Sequence, residues 1–147
     1  MKKFLRGIAF SLVSLFLLDT AAFASETDIT RASSYIANSG AAISADADCQ
    51  LRITFSIQGT ARMSELGATT IYLYEDNGYL SKVVKTYQSS DSNYSNMMDA
   101  NTFYHGSDVT YEGIAAYRYC AIVNFNAGNG TGSDTTVGQT DVVTARK

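Results

Sequence analysis

Proline and tryptophan are absent from the 147-residue sequence, histidine occurs once and cysteine twice. Without proline, every chain reversal must come from Gly, Asn, Asp and Ser, which tolerate positive φ or hydrogen-bond their own backbone. Without tryptophan, the core of an antibody-type domain is missing its usual centrepiece. One histidine and two cysteines are too few for an ordinary zinc centre with three or four protein ligands. No EF-hand spacing is present, and no catalytic or nucleotide-binding motif stands out. Cofactor chemistry therefore has no vocabulary in this chain, and the expectation is a non-enzymatic protein.

Long hydrophobic runs are also scarce. One occurs, Gly7 to Leu18, behind the basic residues Lys2, Lys3 and Arg6. A dozen apolar residues fall short of the roughly 20 that span a bilayer as a helix, but suit the core of a secretory signal peptide. Ala22-Phe23-Ala24 follows with the small-x-small pattern of a signal peptidase site. The sequence thus predicts a signal peptide over 1–24, cleavage between Ala24 and Ser25, and one secreted domain over 25–147. No cysteine stands at the cut to carry a lipid, and no second apolar run would insert in a membrane. Cleavage would leave 123 residues with eight basic and thirteen acidic side chains, a balance of −5. The acids are spread along the chain, which makes nucleic acid and anionic membranes poor partners.

What the chain does have is alternation. From Ile43 to Ile57 the odd positions are apolar or small and the even ones polar, the period of a strand with one wet face. The run predicts a long strand with a bend near Ala47. Gly59–Ala68 reads as a crossing segment containing up to one helical turn, with Met63 and Leu66 plugging one end of the core. A strand over Thr70–Glu75 puts Ile71 and Leu73 on one face and Tyr72 and Tyr74 on the other. Asp76-Asn77-Gly78 is a hairpin turn, with a return strand from Tyr79 to Gln88. Ser89–Thr102 reads as a polar loop with Met97 and Met98 tucked back. Short strands over 103–105 and 108–111, a turn at Glu112-Gly113, a strand over 116–125 and a last strand over 135–144 complete the count. Seven or eight short strands without helical period predict an antiparallel β-sandwich of immunoglobulin-like architecture.

The cysteines do not fit that frame simply. An exported chain can hold a disulfide, and one between Cys49 and Cys120 would stabilise by roughly 4 kcal/mol. Yet Cys49 shares the inward parity of Leu51 and Ile53, whereas Cys120 shares a face with Arg118 and Ile122. Bonded and free cysteines both remain open on the sequence.

Two segments, Gly59–Tyr87 and Asn96–Asp134, carry a pattern of Met, then Leu-Gly-Ala, a strand ending Tyr-Glu, a hairpin, Val-Thr-Tyr-x-Gly and Tyr-x-Ala-x-Val-x-Phe-x-Ala. The last element reads Tyr119-Cys120-Ala121-Ile122-Val123-Asn124-Phe125-Asn126-Ala127. In these features the chain resembles a family of small secreted β-sandwich proteins of Gram-positive, often gut-dwelling, bacteria. The resemblance implies a secreted sandwich. It transfers no catalytic residues, and cysteines are not part of the pattern.

Candidate chemistry is sparse. His105, Ser107 and Asp108 hold the residue types of a nucleophile–base–acid triad, but a strand-end histidine is the plainer reading. Asp46, Asp48 and the Asn126–Asp134 loop offer oxygen ligands for calcium. Asn93-Tyr94-Ser95 and Asn129-Gly130-Thr131 match a glycosylation acceptor by chance in a bacterial-type chain. Tyrosine is the informative excess: Tyr72, Tyr74, Tyr79 and Tyr87 cluster around one hairpin and could form an aromatic platform. Cross-strand pairing that only stabilises the sheet is the alternative. These features favour a secreted binding module for an extracellular glycan or protein. A bacteriocin-like toxin and a carbohydrate hydrolase stand as alternatives.

Overall fold

A computed structural model describes residues Ser33–Lys147. The signal peptide and the Ala24–Ser25 cleavage site lie outside the described residues. Nine antiparallel strands form two sheets: β1 (Ile36–Ala45), β2 (Gln50–Met63), β3 (Glu65–Asp76), β4 (Ser81–Gln88), β5 (Met98–Asp99), β6 (Thr102–Glu112), β7 (Arg118–Gly128), β8 (Ser133–Gln139) and β9 (Val143–Thr144). The first sheet has the order β1-β2-β6 and the second β4-β3-β7-β8, with β5 on β3 and β9 on β7. This is an all-β sandwich. Its strand order matches A-B-E against C′-C-F-G of the immunoglobulin scheme.

The long alternating run is a hairpin, not one bent strand. β1 pairs antiparallel with β2, Ile43 opposite Ile53 and Ala45 opposite Leu51. Asp48 and Cys49 both take positive φ, and the Gln50 N–H bonds the Ala47 carbonyl. Two successive positive-φ residues closed in this way have the shape of a type I′ turn, usually built from Asn-Gly, and the register of Ala45 opposite Leu51 leaves one extra residue beside it. Asp48-Cys49 carries no such signature, so the reversal read as a bend. Two long-range bonds hold the strained turn: the Cys49 N–H donates to Arg146 and the Cys49 carbonyl accepts from Gly113.

Gly59–Ala68 contains no helical turn; β2 runs to Met63, Ser64 breaks the pairing and β3 begins at Glu65. Met63 and Leu66 are buried at that end of the core, as their spacing predicted. A bulge at Thr69 changes the phase of β3. Before it the even residues Leu66 and Ala68 face inward; after it the odd residues Ile71 and Leu73 do. The loop after β4 contains a 3-10 turn over Ser92–Met97, which inserts Met97 into the core. Beyond it, β6 is one continuous strand where two short ones were expected.

Across the core, Leu51, Ile53, Phe55 and Ile57 of β2 meet Tyr119, Ala121, Val123 and Phe125 of β7, with Phe55 and Phe125 edge to face at 6.3 Å. Each fully buried side chain of this size contributes roughly 1.5–3 kcal/mol. One polar cluster sits among them. The Tyr119 hydroxyl donates to the Glu75 carboxylate at 2.7 Å and accepts from the Ile114 N–H at 2.9 Å. Lys82 reaches the other Glu75 oxygen at 3.6 Å, so a carboxylate only 4% exposed is fully partnered. Burial, with Glu75 beside it, holds the Tyr119 phenol above its ordinary pKa. The tyrosine clamps the β6–β7 corner as a tyrosine corner does. The position is one before Cys120 and not two before it, where the immunoglobulin spacing would put it.

Tyr119→Phe strands the Ile114 N–H and removes a donor from a buried carboxylate. The expected loss is about 2–3 kcal/mol, seen as a fall of roughly 10 °C in the thermal unfolding midpoint. A loss under about 0.5 kcal/mol would mean the cluster does not hold the corner.

Candidate functional site

The four tyrosines singled out by sequence do not form one platform. Tyr72 and Tyr74 lie half-buried on the outer face of the second sheet, Tyr72 opposite Thr86 and Ile122, Tyr74 opposite Val83 and Cys120. Tyr79 projects from the hairpin turn, 99% exposed. Tyr87 is 1% exposed and belongs to the core. Its hydroxyl donates to the Thr110 carbonyl at 2.9 Å, and its ring meets Tyr94 edge-on at 5.1 Å. A bulge at Val84 is the cause. Near the turn Tyr74 faces Val83; past the bulge Leu73 faces Lys85 and Ile71 faces Tyr87. In a regular hairpin Tyr87 would sit opposite Thr70, on the outer face with Tyr72 and Tyr74.

The cysteines are free thiols, not within disulfide distance of each other. Cys49 belongs to the β1–β2 turn. Cys120 lies on the outer face of β7, opposite Tyr74. The inward positions of β2 and β7 that could bridge the sheets hold aliphatic and aromatic residues instead.

His105 and Asp108 point to opposite faces of β6. The His105 Nε2 bonds the Asn96 carbonyl at 2.8 Å, and Asn96 also donates to the Ser107 hydroxyl at 2.8 Å. These contacts fasten the Ser92–Met97 turn to the sheet. Asp108 is on the other side, 3.0 Å from Arg52. Three of the oxygen ligands considered for calcium, Asp46, Asp134 and Asn129, are likewise employed. Asp46 lies 3.8 Å from Arg52. The Asp134 carboxylate accepts from the Ser33 hydroxyl at 2.7 Å and the Tyr35 N–H at 3.1 Å. Asn129 folds its side chain back onto the Thr131 and Gly132 amides. Among the described residues no group of three His, Cys, Asp or Glu comes together.

What the structure does assemble is a groove across the outer face of the three-stranded sheet, about 670 Å³ in volume. Register builds it row by row. Gly40, Ser56 and Gly106 are directly opposite one another on β1, β2 and β6, so one row across the sheet is nearly bare backbone. The next row is Ala42, Thr54 and Asp108, also short side chains. Tyr104 bounds one side, in a row that Gln58 and Asn38 continue across the sheet. Asp108, paired with Arg52, bounds the other. Tyr104 is 54% exposed and lays its phenol over Gly106; a Cβ there would come within 3.1 Å of its hydroxyl. Gly40 is open, with nothing within 4 Å of where a Cβ would stand.

Sequence reasoning missed this groove because the residues aligned in its rows are 12 to 66 positions apart along the chain and individually ordinary. The available signal was three consecutive even positions without bulk, Gly40, Ala42 and Ser44, alternating with the apolar Ala41, Ile43 and Ala45. A scan against family models, curated proteins and solved structures finds no match for this chain.

Two measurements follow from the employed groups. Thiol labelling in denaturant without reductant should modify both cysteines; an unlabelled pair would contradict the free thiols. The Ser33 hydroxyl and Tyr35 N–H hold the Asp134 carboxyl below its ordinary pKa. A depressed folded-state pKa gives stability that is present above about pH 4 and lost as pH falls through the folded value. Asp134→Asn should therefore lose less stability than the parent between about pH 5 and about pH 3. Parallel unfolding curves would show that the carboxylate does not anchor Ser33–Tyr35.

Proposed function

We propose that this chain is an exported, non-enzymatic recognition module whose three-stranded face binds a neutral carbohydrate. The observation that carries the reading is the groove floored by Gly40, Ser56 and Gly106 and flanked by an exposed tyrosine. A sugar ring presents an apolar C–H face and a rim of hydroxyls. It needs an aromatic ring to stack on, and fixed amides, hydroxyls and carboxylates to bond. Tyr104 supplies the first. Thr54, Ser56 and Asp108 in the groove supply the others, with Gln58 and Asn38 extending the row of Tyr104. The volume falls within the range of small-ligand sites.

Charge favours a neutral ligand. Arg52 is already shared by Asp46 and Asp108, so an anionic polymer would meet net negative charge. A hydrolase would need two carboxyl groups flanking the scissile bond; the acid lining this groove is Asp108, and Arg52 holds it. Export rests on the basic and apolar start of the sequence with its Ala24–Ser25 site, and on the resemblance to small secreted proteins. The partner would then be a glycan or wall polymer outside the cell.

A shallow site with one stacking ring binds weakly, with Kd on the order of 0.1–1 mM. A neutral-glycan array followed by calorimetry tests this. Tyr104→Ala should weaken binding about tenfold or more, whereas the double change Tyr72→Ala/Tyr74→Ala should leave it unchanged. Failure of the unaltered protein to bind any neutral glycan removes the proposal. Loss of binding in the Tyr72/Tyr74 variant with Tyr104→Ala intact moves the site to the other sheet.

A further inference from the structure

Among the described residues the two sheets have four long edge strands, β1, β4, β6 and β8, and three of them are guarded. Natural sheets protect an edge with charge, bulges, short length or a covering segment, because unpaired N–H and C=O groups recruit another strand. β4 carries Lys82 and Lys85 and the bulge at Val84. β6 carries Asp108 and Glu112, the Ser92–Met97 turn is bonded to it, and its Thr110 carbonyl is taken by Tyr87. β8 is seven residues long and includes Asp134. Among the described residues β1 has neither charge nor a covering segment, and from Asn38 to Ala45 its pairing is regular. It is ten residues, Ile-Ala-Asn-Ser-Gly-Ala-Ala-Ile-Ser-Ala, with no charge, and its irregularity is confined to the start, between Ile36 and Asn38.

We propose that the open edge of β1 pairs antiparallel with β1 of a second copy, joining two three-stranded sheets into one of six strands. The strand is its own best complement. Ala41, Ile43 and Ala45 face inward but stay only partly buried where the sheet stops. A two-fold antiparallel pairing that keeps odd residues opposite odd residues sets these beside their counterparts and covers them. On the outer face the same pairing brings together Gly40, Ala42 and Ser44, which are small and do not collide. Charge also favours self-pairing through this strand. The described residues hold eleven acidic and seven basic side chains, so copies repel elsewhere, and β1 is an uncharged approach. β1 does lie over β8, with Gly138 beneath Ala41, but that contact is made by inner faces and leaves the lateral edge free among the described residues. Such an isologous contact closes on itself and stops at a dimer.

Pairing would also lengthen the groove. Its bare row runs out at Gly40 on this edge, so a second copy would continue it across the two-fold axis. That consequence rests on the carbohydrate reading; the pairing itself does not.

Sedimentation of the mature chain from about 5 to about 500 µM tests it. A monomer–dimer equilibrium is expected. Ser44→Lys, and Ala42→Lys/Ser44→Lys, place like charges across the axis and should weaken the dimer tenfold or more with an unchanged circular dichroism spectrum. Val137→Lys, on the outer face of the other sheet, should not. Amide exchange in β1 should slow as concentration rises. A protein that stays monomeric at about 500 µM overturns the proposal. So does a dimer that survives Ala42→Lys/Ser44→Lys or is broken by Val137→Lys. Protection of β1 amides that is complete in the dilute monomer also overturns it, and would give the edge to the chain's own residues 25–32. Glycan binding does not enter any of these readouts, so the two proposals can fail separately.

Discussion

β3 and β7 pair from Glu65 opposite Gly128 to Asp76 opposite Arg118, and the sandwich is organised on that central ladder. Their inward residues, Leu66, Ala68, Ile71 and Leu73 on one strand and Tyr119, Ala121, Val123, Phe125 and Ala127 on the other, are buried. β4, β5, β8 and β9 all attach to one or other of these two strands. The β2 side chains pack on the wall the pair forms. Both ends of the ladder are pinned by polar contacts. Ser64 donates to the Gly128 carbonyl at one end, and the Asp76–Arg118 ion pair with the Glu75–Tyr119 bond closes the other. Gly78 and Arg118 hold the Asp76 carboxyl below its ordinary pKa, so this end is set at neutral pH.

Bulges decide which side chains face where. Pairing has a period of two, so one extra residue moves every later side chain to the opposite face. Thr69 does this in β3, and its hydroxyl donates to the Asn124 carbonyl across the bulge. Val84 does it in β4, and thereby takes Tyr87 into the core. There it meets Tyr94, while Lys85 lies over both rings at 5.6 and 5.8 Å. An aromatic cluster that looks like a surface in the linear sequence is thus divided between surface and interior.

The two sheets consequently present different outer faces. The larger one shows Tyr72, Tyr74, Cys120, Ile122 and Val137, a mixed surface with a small hollow of about 110 Å³ at Tyr74, Arg118 and Cys120. The smaller one has its bulk removed along the Gly40–Ser56–Gly106 row, with tyrosine and charge on either side. A concave polar strip beside an unguarded edge belongs to the same three strands, which is why the proposed ligand face and the proposed pairing edge adjoin.

The sequence by itself determined the class of fold and most of its inside. Strict alternation marks Leu51, Ile53, Phe55 and Ile57, and again Tyr119, Ala121, Val123 and Phe125, because a strand with one wet face can be written in no other way. It also marked the Asp76-Asn77-Gly78 reversal, whose chemistry is local. Register it could not determine, since pairing depends on residues far apart in the chain and on bulges that leave no composition signature. Only the tertiary structure turned Asp48-Cys49 into a hairpin, buried Tyr87, separated Cys49 from Cys120 and set His105 and Asp108 on opposite faces. It alone aligned Gly40, Ser56 and Gly106, because a groove made by missing side chains exists only once three strands lie side by side.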